Sequence, residues 1–172
     1  MTHCLIIGAG ISGLLAAHTL QNAGLQVTVL DKGRGVGGRM ATRRLEQGEG
    51  RADHGAQFFT VRSDTFQTWV DQWLTAGVVQ EWSRGFPPKN PHDGHPRYRG
   101  THGMTDIAKH LAQDVPVHTS TRVAKIEQGD EQWRLTTTED AIFTADALLL
   151  TPPVPQSLEL LAAGNVSLPA EA

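Results

Sequence analysis

Cysteine is nearly missing from this chain of 172 residues, where Cys4 is the single thiol. One cysteine cannot close an intrachain disulfide, so a disulfide scaffold is excluded and a reducing cytoplasm is the expected compartment. Cys4 sits in an apolar run and reads as an inert core thiol. Unbroken runs of 18 apolar residues are missing too, and no basic segment precedes the opening apolar stretch. Neither a membrane span nor a signal peptide is therefore predicted. The chain also lacks internal repeats, low-complexity tracts and an excess of positive charge. Its net charge of −3 and pI near 6.2 give no reason to expect nucleic acid or an anionic membrane as partner. What remains, 39% hydrophobic and 19% charged residues, is the composition of a globular protein rather than a disordered or fibrous one.

Function enters with the first 31 residues. The apolar run His3-Cys4-Leu5-Ile6-Ile7 opens into Gly8-Ala9-Gly10-Ile11-Ser12-Gly13, and Val27-Thr28-Val29-Leu30 ends in Asp31. Glycines after a strand-like run and before an apolar, Ala-rich helix form a dinucleotide-binding fingerprint. Gly8 permits the tight turn, Gly10 lets backbone approach a pyrophosphate, and Gly13 lets the helix pack closely on the strand. The helix start at Ile11 and Ser12 then offers free N–H groups and a positive dipole end. Asp31, 18 residues past Gly13, is placed to accept hydrogen bonds from an adenosine ribose and to repel a 2′-phosphate. These features alone specify an adenosine diphosphate moiety and leave NAD and FAD both open.

The coarse reading along the chain is strand 2–7, helix 11–23, strand 26–30, and then a segment without period over 32–50. A doubly wound nicotinamide dehydrogenase would continue at once into another helix and strand. Here a strand-like piece around Arg51-Ala52-Asp53-His54-Gly55 follows instead, then Ala56 to Thr60. Phe66, Trp69, Val70, Trp73 and Leu74 predict a core-facing helix over 64–76, with Ser63 or Asp64 as cap. Residues 84–99 hold four of the nine prolines and read as a surface loop or irregular hairpin. Gly103-Met104-Thr105 opens a helix to about Gln113, with Ile107, Ala108 and Leu111 as its apolar stripe. Alternation from 121 to 144 predicts a small antiparallel meander. The run Ala147-Leu148-Leu149-Leu150 is expected to be a fully buried parallel strand that rejoins the first sheet and stops at Thr151-Pro152-Pro153.

Charge is unevenly spread. Residues 1–31 contain no Lys or Arg, whereas 32–62 contain seven (Lys32, Arg34, Arg39, Arg43, Arg44, Arg51, Arg62) against Glu46, Glu49 and Asp53. A basic loop beside a pyrophosphate site is suited to neutralising phosphate. His92, Asp93, His95 and His102 lack a fixed scaffold and a completing carboxylate or thiol cluster, so no metal site is predicted. No Ser/His/Asp or Cys/His arrangement stands out.

The second glycine cluster, Arg34-Gly35-Val36-Gly37-Gly38-Arg39-Met40-Ala41-Thr42-Arg43-Arg44, together with Asp53-His54-Gly55-Ala56-Gln57-Phe58-Phe59-Thr60, resembles the flavin-containing amine oxidase superfamily and, within it, the bacterial renalase-like proteins. The resemblance runs from residue 2 to about 160. It implies FAD as cofactor, with Ser12, Asp31, Lys32, Gly38, Arg39 and Met40 as contacts. It further implies that Gly55, Ala56, Gln57, Phe58 and Phe59 lie beside the isoalloxazine, that Tyr98 to Met104 form a glycine-methionine helix start, that the Val123 backbone meets the adenine, and that Thr151 belongs to a strand end closing over the cofactor.

The expected fold is accordingly a Rossmann-type α/β domain, a parallel sheet with a small antiparallel meander, plus the start of a substrate domain. The segments would be 1–60 (FAD-binding βαβ core and flavin-facing stretch), 61–115 (partial substrate region) and 116–172 (meander and return strand). Superfamily members continue further, so the chain reads as truncated at Pro169-Ala170-Glu171-Ala172, with weakened FAD retention. The implied activity is oxidation of isomeric dihydronicotinamide dinucleotides by hydride transfer to flavin, with oxygen as acceptor. Alternatives are a related amine oxidase or desaturase, or an inactive nucleotide-binding fragment needing a second chain. The small-molecule substrate would be a dihydronicotinamide dinucleotide or an amine, and the oligomeric state stays open. His54 is the one weak candidate for acid–base work, and a structural role is favoured because hydride transfer from a dihydropyridine needs no proton abstraction.

Overall fold

A computed structural model describes residues 1–45, 50–85 and 94–167. In chain order the elements begin with β1 (His3–Ile7), α1 (Ile11–Asn22), β2 (Gln26–Leu30) and a 3-10 turn (Gly38–Met40). Next come β3 (Thr42–Arg44), β4 (Arg51–Asp53), α2 (Asp64–Thr75), β5 (Val79–Ser83), β6 (Arg97–Gly100) and α3 (Thr105–Leu111). The chain continues through β7 (Val117–His118), β8 (Val123–Gln128), β9 (Trp133–Thr137), β10 (Ile142–Ala145), β11 (Ala147–Leu150) and α4 (Val154–Ala163). Two compact units result: Met1–Gly38 with Leu111–Ala172, and Arg39–His110. Among the described residues, no helix is long and apolar enough to cross a membrane.

In the first unit a parallel sheet has the order β11-β1-β2-β7. β1 has a neighbour on each side, and its Leu5 and Ile6 are fully buried, which explains its uninterrupted apolar sequence. The helix α1 returns the chain from β1 to the parallel β2, as a βαβ crossover requires. The meander is an antiparallel sheet, β10-β9-β8. Leu5, Ile7 and Leu30 share one core with Val123, Ile126, Leu135, Ala145 and Leu161. Burying each large side chain there contributes about 1.5–3 kcal/mol. The Rossmann-like expectation therefore holds for this unit.

Two features of the unit differ from the sequence reading. β11 is parallel and rejoins β1 as expected, but each of its residues is only half-buried. The reason is position: β11 lies at an edge of the sheet. α4 was not foreseen after the Pro152-Pro153 pair. Pro155 sits within its first turn, where the missing N–H costs nothing.

In the second unit, β3 pairs with β4, and β5 with β6, as antiparallel hairpins. α2 is capped by Ser63, whose hydroxyl accepts the Phe66 N–H at 3.3 Å. Its Val70 and Trp73 are buried, but Leu74 is exposed and does not join the core. Phe59, Phe66, Trp69, Trp73 and Tyr98 instead form an aromatic cluster with ring centroids 5.7–6.3 Å apart. Among the described residues, the buried Trp73 N–H has no hydrogen-bond acceptor. The strand β5 and its pairing with Arg97–Gly100 turn one end of the proline-rich segment into a hairpin, while 86–93 lie outside the described residues.

Candidate functional site

The first unit gathers the fingerprint residues at the C-terminal ends of β1 and β2. Gly8 takes φ +107°, a conformation glycine adopts without strain, and its N–H donates to the Leu30 carbonyl at 2.8 Å. A Cβ at Gly13 would collide with the Gly8 carbonyl, so the helix starts as close to the strand as backbone allows. Thr151 closes the same corner: its hydroxyl donates to the Ile7 carbonyl at 2.8 Å. At Gly10, by contrast, an added Cβ would meet no heavy atom within 4 Å. Gly10 is the N-cap of α1 and supplies no side-chain cap, and the first turn carries no acid. α1 therefore starts without a side-chain cap or an acid, with open space beside Gly10, and this positively polarised helix start suits an anion.

Asp31 organises the rim of this cradle. Its Oδ2 accepts the Ala9 N–H at 2.6 Å, and its Oδ1 accepts the Gly33 N–H at 2.6 Å. One carboxylate thus fastens the first glycine loop to the beginning of the second. The loops are joined again where the Gly37 N–H donates to the Ala9 carbonyl at 2.8 Å and Gly10 bridges Gly37. Gly38 continues beside them, a Cβ there falling 3.6 Å from the Gly10 Cα. The segment after β7 is strapped on from the other side. The Asp31 N–H donates to the His118 carbonyl, Thr121 donates to the Asp31 carbonyl, and Ser120 donates to the Gly33 carbonyl, all at 2.7–2.9 Å. Lys32 projects at the surface and donates to Gln156 Oε1 of α4 at 3.1 Å. Val123 is buried at the start of β8, its side chain in the core cluster, two residues past Thr121.

The remaining predicted residues lie in the second unit. Arg39 is exposed and Met40 buried. The Ala56 N–H donates to the Arg39 carbonyl at 2.9 Å, and a Cβ at Gly55 would strike that same carbonyl, so 39–40 and 55–56 run in tight backbone contact. Behind them is a polar network that the sequence did not announce. Asp53 Oδ1 accepts the Thr42 hydroxyl and the Met104 N–H (3.0 Å), while the Thr105 hydroxyl accepts the Thr42 N–H at 2.6 Å and donates to the Met40 carbonyl at 3.1 Å. It anchors the Gly-Met helix start of α3 against β3 and β4. Phe58 and Phe59 part company: Phe59 is held by a two-bond bridge to Tyr98 within the aromatic cluster, whereas the exposed Phe58 pairs with Trp82. Gln57 is exposed. His54 is exposed and makes no hydrogen bond among the described residues, so it lacks the orienting group that a general base requires.

Ionisable groups near the cradle serve the fold. Burial pushes the Cys4 thiol up. Asp146 is held below the usual carboxylate range chiefly by the His3 N–H at 2.8 Å, and also by Gln132 at 2.9 Å. Among the described residues, no three His, Cys, Asp or Glu side chains cluster to hold a metal. His92 and Asp93 lie outside them, and His102 pairs with Asp106 at 3.2 Å.

Residues 6–73 match the family of NAD(P)-binding Rossmann-like domains, and residues 87–170 match the flavin-containing amine oxidoreductases. The chain is thus similar to the flavin-containing amine oxidoreductases over its second half and to Rossmann-like dinucleotide-binding domains over its first. The chain is 27% identical to mouse renalase over 169 residues, which is 93% of the chain but 49% of that protein. It is 57% identical to an L-amino-acid oxidase of Bothrops pauloensis over 45 residues, 26% of the chain and 9% of the oxidase. The chain thus spans about half the length of the first relative and far less of the second. In fold it resembles a putrescine oxidase mutant (TM-score 0.70, 14% identity, 92% of this chain and 59% of that one). A fatty acid isomerase from P. acnes that produces CLA is similar to the same degree (TM-score 0.70, 16% identity, 92% and 60%).

Thr121 and Gln156 in the first unit, and the Thr42-Asp53-Thr105 network in the second, were not singled out from sequence. Thr121 acts through its backbone and Gln156 through a tertiary contact, so neither leaves a pattern in the sequence. Asp53 beside His54-Gly55 was the one available signal.

Proposed function

We propose that this protein is an FAD-dependent oxidoreductase that removes hydride from a carbon bonded to nitrogen in a small amine-type substrate. The observation that carries this reading is the uncapped start of α1, open at Gly10, with both glycine loops fastened by Asp31. That cradle suits a pyrophosphate. The Ile11, Ser12 and Gly13 amides would hold its oxygens, and each Asp31 oxygen, already accepting one N–H, keeps lone-pair capacity for a ribose hydroxyl. The same carboxylate disfavours a 2′-phosphate. Lys32 and Arg39 supply positive charge, Thr151 fixes the turn, and the backbone at Val123 borders the adenine end. Gly55 to Phe59 would line the flavin. FAD, when bound, supplies the hydride acceptor and passes electrons to oxygen.

The amine reading is supported by the flavin-containing amine oxidoreductase match and by the high local identity to L-amino-acid oxidases. A second reading, oxidation of isomeric dihydronicotinamides, is favoured by one observation: the likeness to renalase extends over 93% of the chain, whereas that to the Bothrops pauloensis oxidase covers 26% of it. Both substrates donate hydride from carbon activated by nitrogen. Anaerobic titration of the FAD-loaded protein separates them: bleaching by L-amino acids or aliphatic amines supports the first, and bleaching by dihydronicotinamide isomers the second. A folded protein that binds ADP but never retains FAD would refute both.

A further inference from the structure

The Thr42-Asp53-Thr105 network in the second unit closes on itself. Thr42 and Thr105 are joined reciprocally: the Thr42 N–H donates to the Thr105 hydroxyl at 2.6 Å, and the Thr105 N–H donates to the Thr42 hydroxyl at 3.1 Å. Each hydroxyl then has one proton to give. That of Thr105 goes to the Met40 carbonyl at 3.1 Å, and that of Thr42 goes to Asp53 Oδ1. The same Oδ1 accepts the Met104 N–H at 3.0 Å, so one carboxylate oxygen terminates the chain of donors. Gly103 leaves the room this needs, since a Cβ there would lie 2.6 Å from the Thr42 hydroxyl oxygen. A polar network satisfied in this way specifies a single arrangement of the backbone it ties together.

The backbone it ties together is not covered by the core. His54, Gly55, Ala56 and Gln57 are all exposed, whereas Asp53 is half-buried. The exposed stretch is nonetheless held on both sides: by Asp53 Oδ1 before it, and by the Ala56 N–H, which donates to the Arg39 carbonyl at 2.9 Å. On the facing segment the Arg39 and Met40 carbonyls and the Thr42 N–H are engaged in turn. Exposed backbone locked from behind by a satisfied network is how a binding surface is pre-organised. We infer that Asp53, through Thr42 and Met104, is a positioning residue for the flavin end of the cofactor, acting on the 39–42 and 53–56 backbone rather than by contact. This rests on the proposed flavoenzyme reading, in which Gly55 to Phe59 line the flavin.

The test is calorimetric titration of FAD, and separately of ADP, into the full chain in wild type and in Asp53→Ala, Asp53→Asn, Thr42→Val and Thr42→Ser. ADP carries no flavin, so a role at the flavin end leaves its affinity unchanged in all four variants, while a general loss of structure weakens both ligands. Asp53→Ala removes the shared acceptor and Thr42→Val the linking hydroxyl. FAD should bind each about 5- to 150-fold more weakly, the range of a lost charge-assisted hydrogen bond, and the visible spectrum of the bound flavin should shift. Asp53→Asn keeps a carbonyl oxygen for both donors and Thr42→Ser keeps the hydroxyl, so both should restore FAD affinity and spectrum. Wild-type FAD affinity in Asp53→Ala and Thr42→Val overturns the inference, as does a parallel fall in ADP affinity in folded variants, or an Asn variant as weak as the Ala variant. If a thermal melt shows Asp53→Ala to be unfolded, the Thr42→Val and Thr42→Ser pair decides. A wild type that binds ADP but not FAD refutes the flavoenzyme reading and this inference with it, whereas equal FAD binding across the series refutes the inference alone.

Discussion

Replacing Asp31 tests the cradle most directly. Its carboxylate accepts two backbone N–H groups at 2.6 Å, one from each glycine loop. In Asp31→Asn one oxygen becomes an NH2 donor, and whichever way the amide turns it faces either the Ala9 or the Gly33 N–H. One charge-assisted bond is lost and a donor is set against a donor. Such a bond contributes about 1.5–3 kcal/mol, and the half-exposed position of Asp31 lets water recover part of it. ADP affinity should therefore fall by about 1–3 kcal/mol, or about 5- to 150-fold. Asp31→Ala, which releases both amides, should lose at least as much. Calorimetric titration with ADP, paired with a thermal melt to confirm folding, gives the answer. Unchanged ADP affinity in both variants would refute the clamp and the placement of the nucleotide.

Gly13→Ala places a methyl against the Gly8 carbonyl; overpacking of this kind costs about 1–3 kcal/mol, so a lowered Tm and weaker ADP binding are expected together. Leu135→Ala empties the middle of the meander core, where Leu135 is fully buried, and should lower unfolding free energy by about 2–5 kcal/mol in a urea titration while ADP still binds the folded fraction. The lowered Asp146 carboxyl binds its proton less readily when folded than when unfolded. Its contribution is thus present above the unfolded value near 3.9 and is lost as pH falls through the folded value. Asp146→Asn should flatten that acid limb in melts between about pH 2 and 5.

Much of the first unit could be read from periodicity. β1, α1, β2 and the meander carry long, consistent patterns, and β11 is an apolar run between a turn and a proline pair. The half-burial of β11 could not be read, because sheet edge and sheet centre are distinguished only by neighbours. β5 was missed because Val79-Gln80-Glu81-Trp82-Ser83 is short, mixed and interrupted by a bulge, which destroys alternation. α4 was hidden by prolines that look like a stop and in fact occupy a helix start. At the site, the glycines and Asp31 were legible because the turn and the anion demand those residue types. The backbone straps from Ser120 and Thr121 were not, since any residue has an N–H to give.

The pairing of β1 with β11 sets an order of events during synthesis. The second unit is contiguous, Arg39–His110, and has all its strands once residue 110 has emerged. The first unit has not: the Cys4 to Ile7 stretch finds its partner at Ala147 to Leu150, and Thr151 reaches back to Ile7. Closing so long a loop is slow. The nucleotide cradle is thus completed only after Thr151 has been made, and a nascent chain carries one side of β1 without its parallel neighbour until Ala147 to Leu150 have emerged.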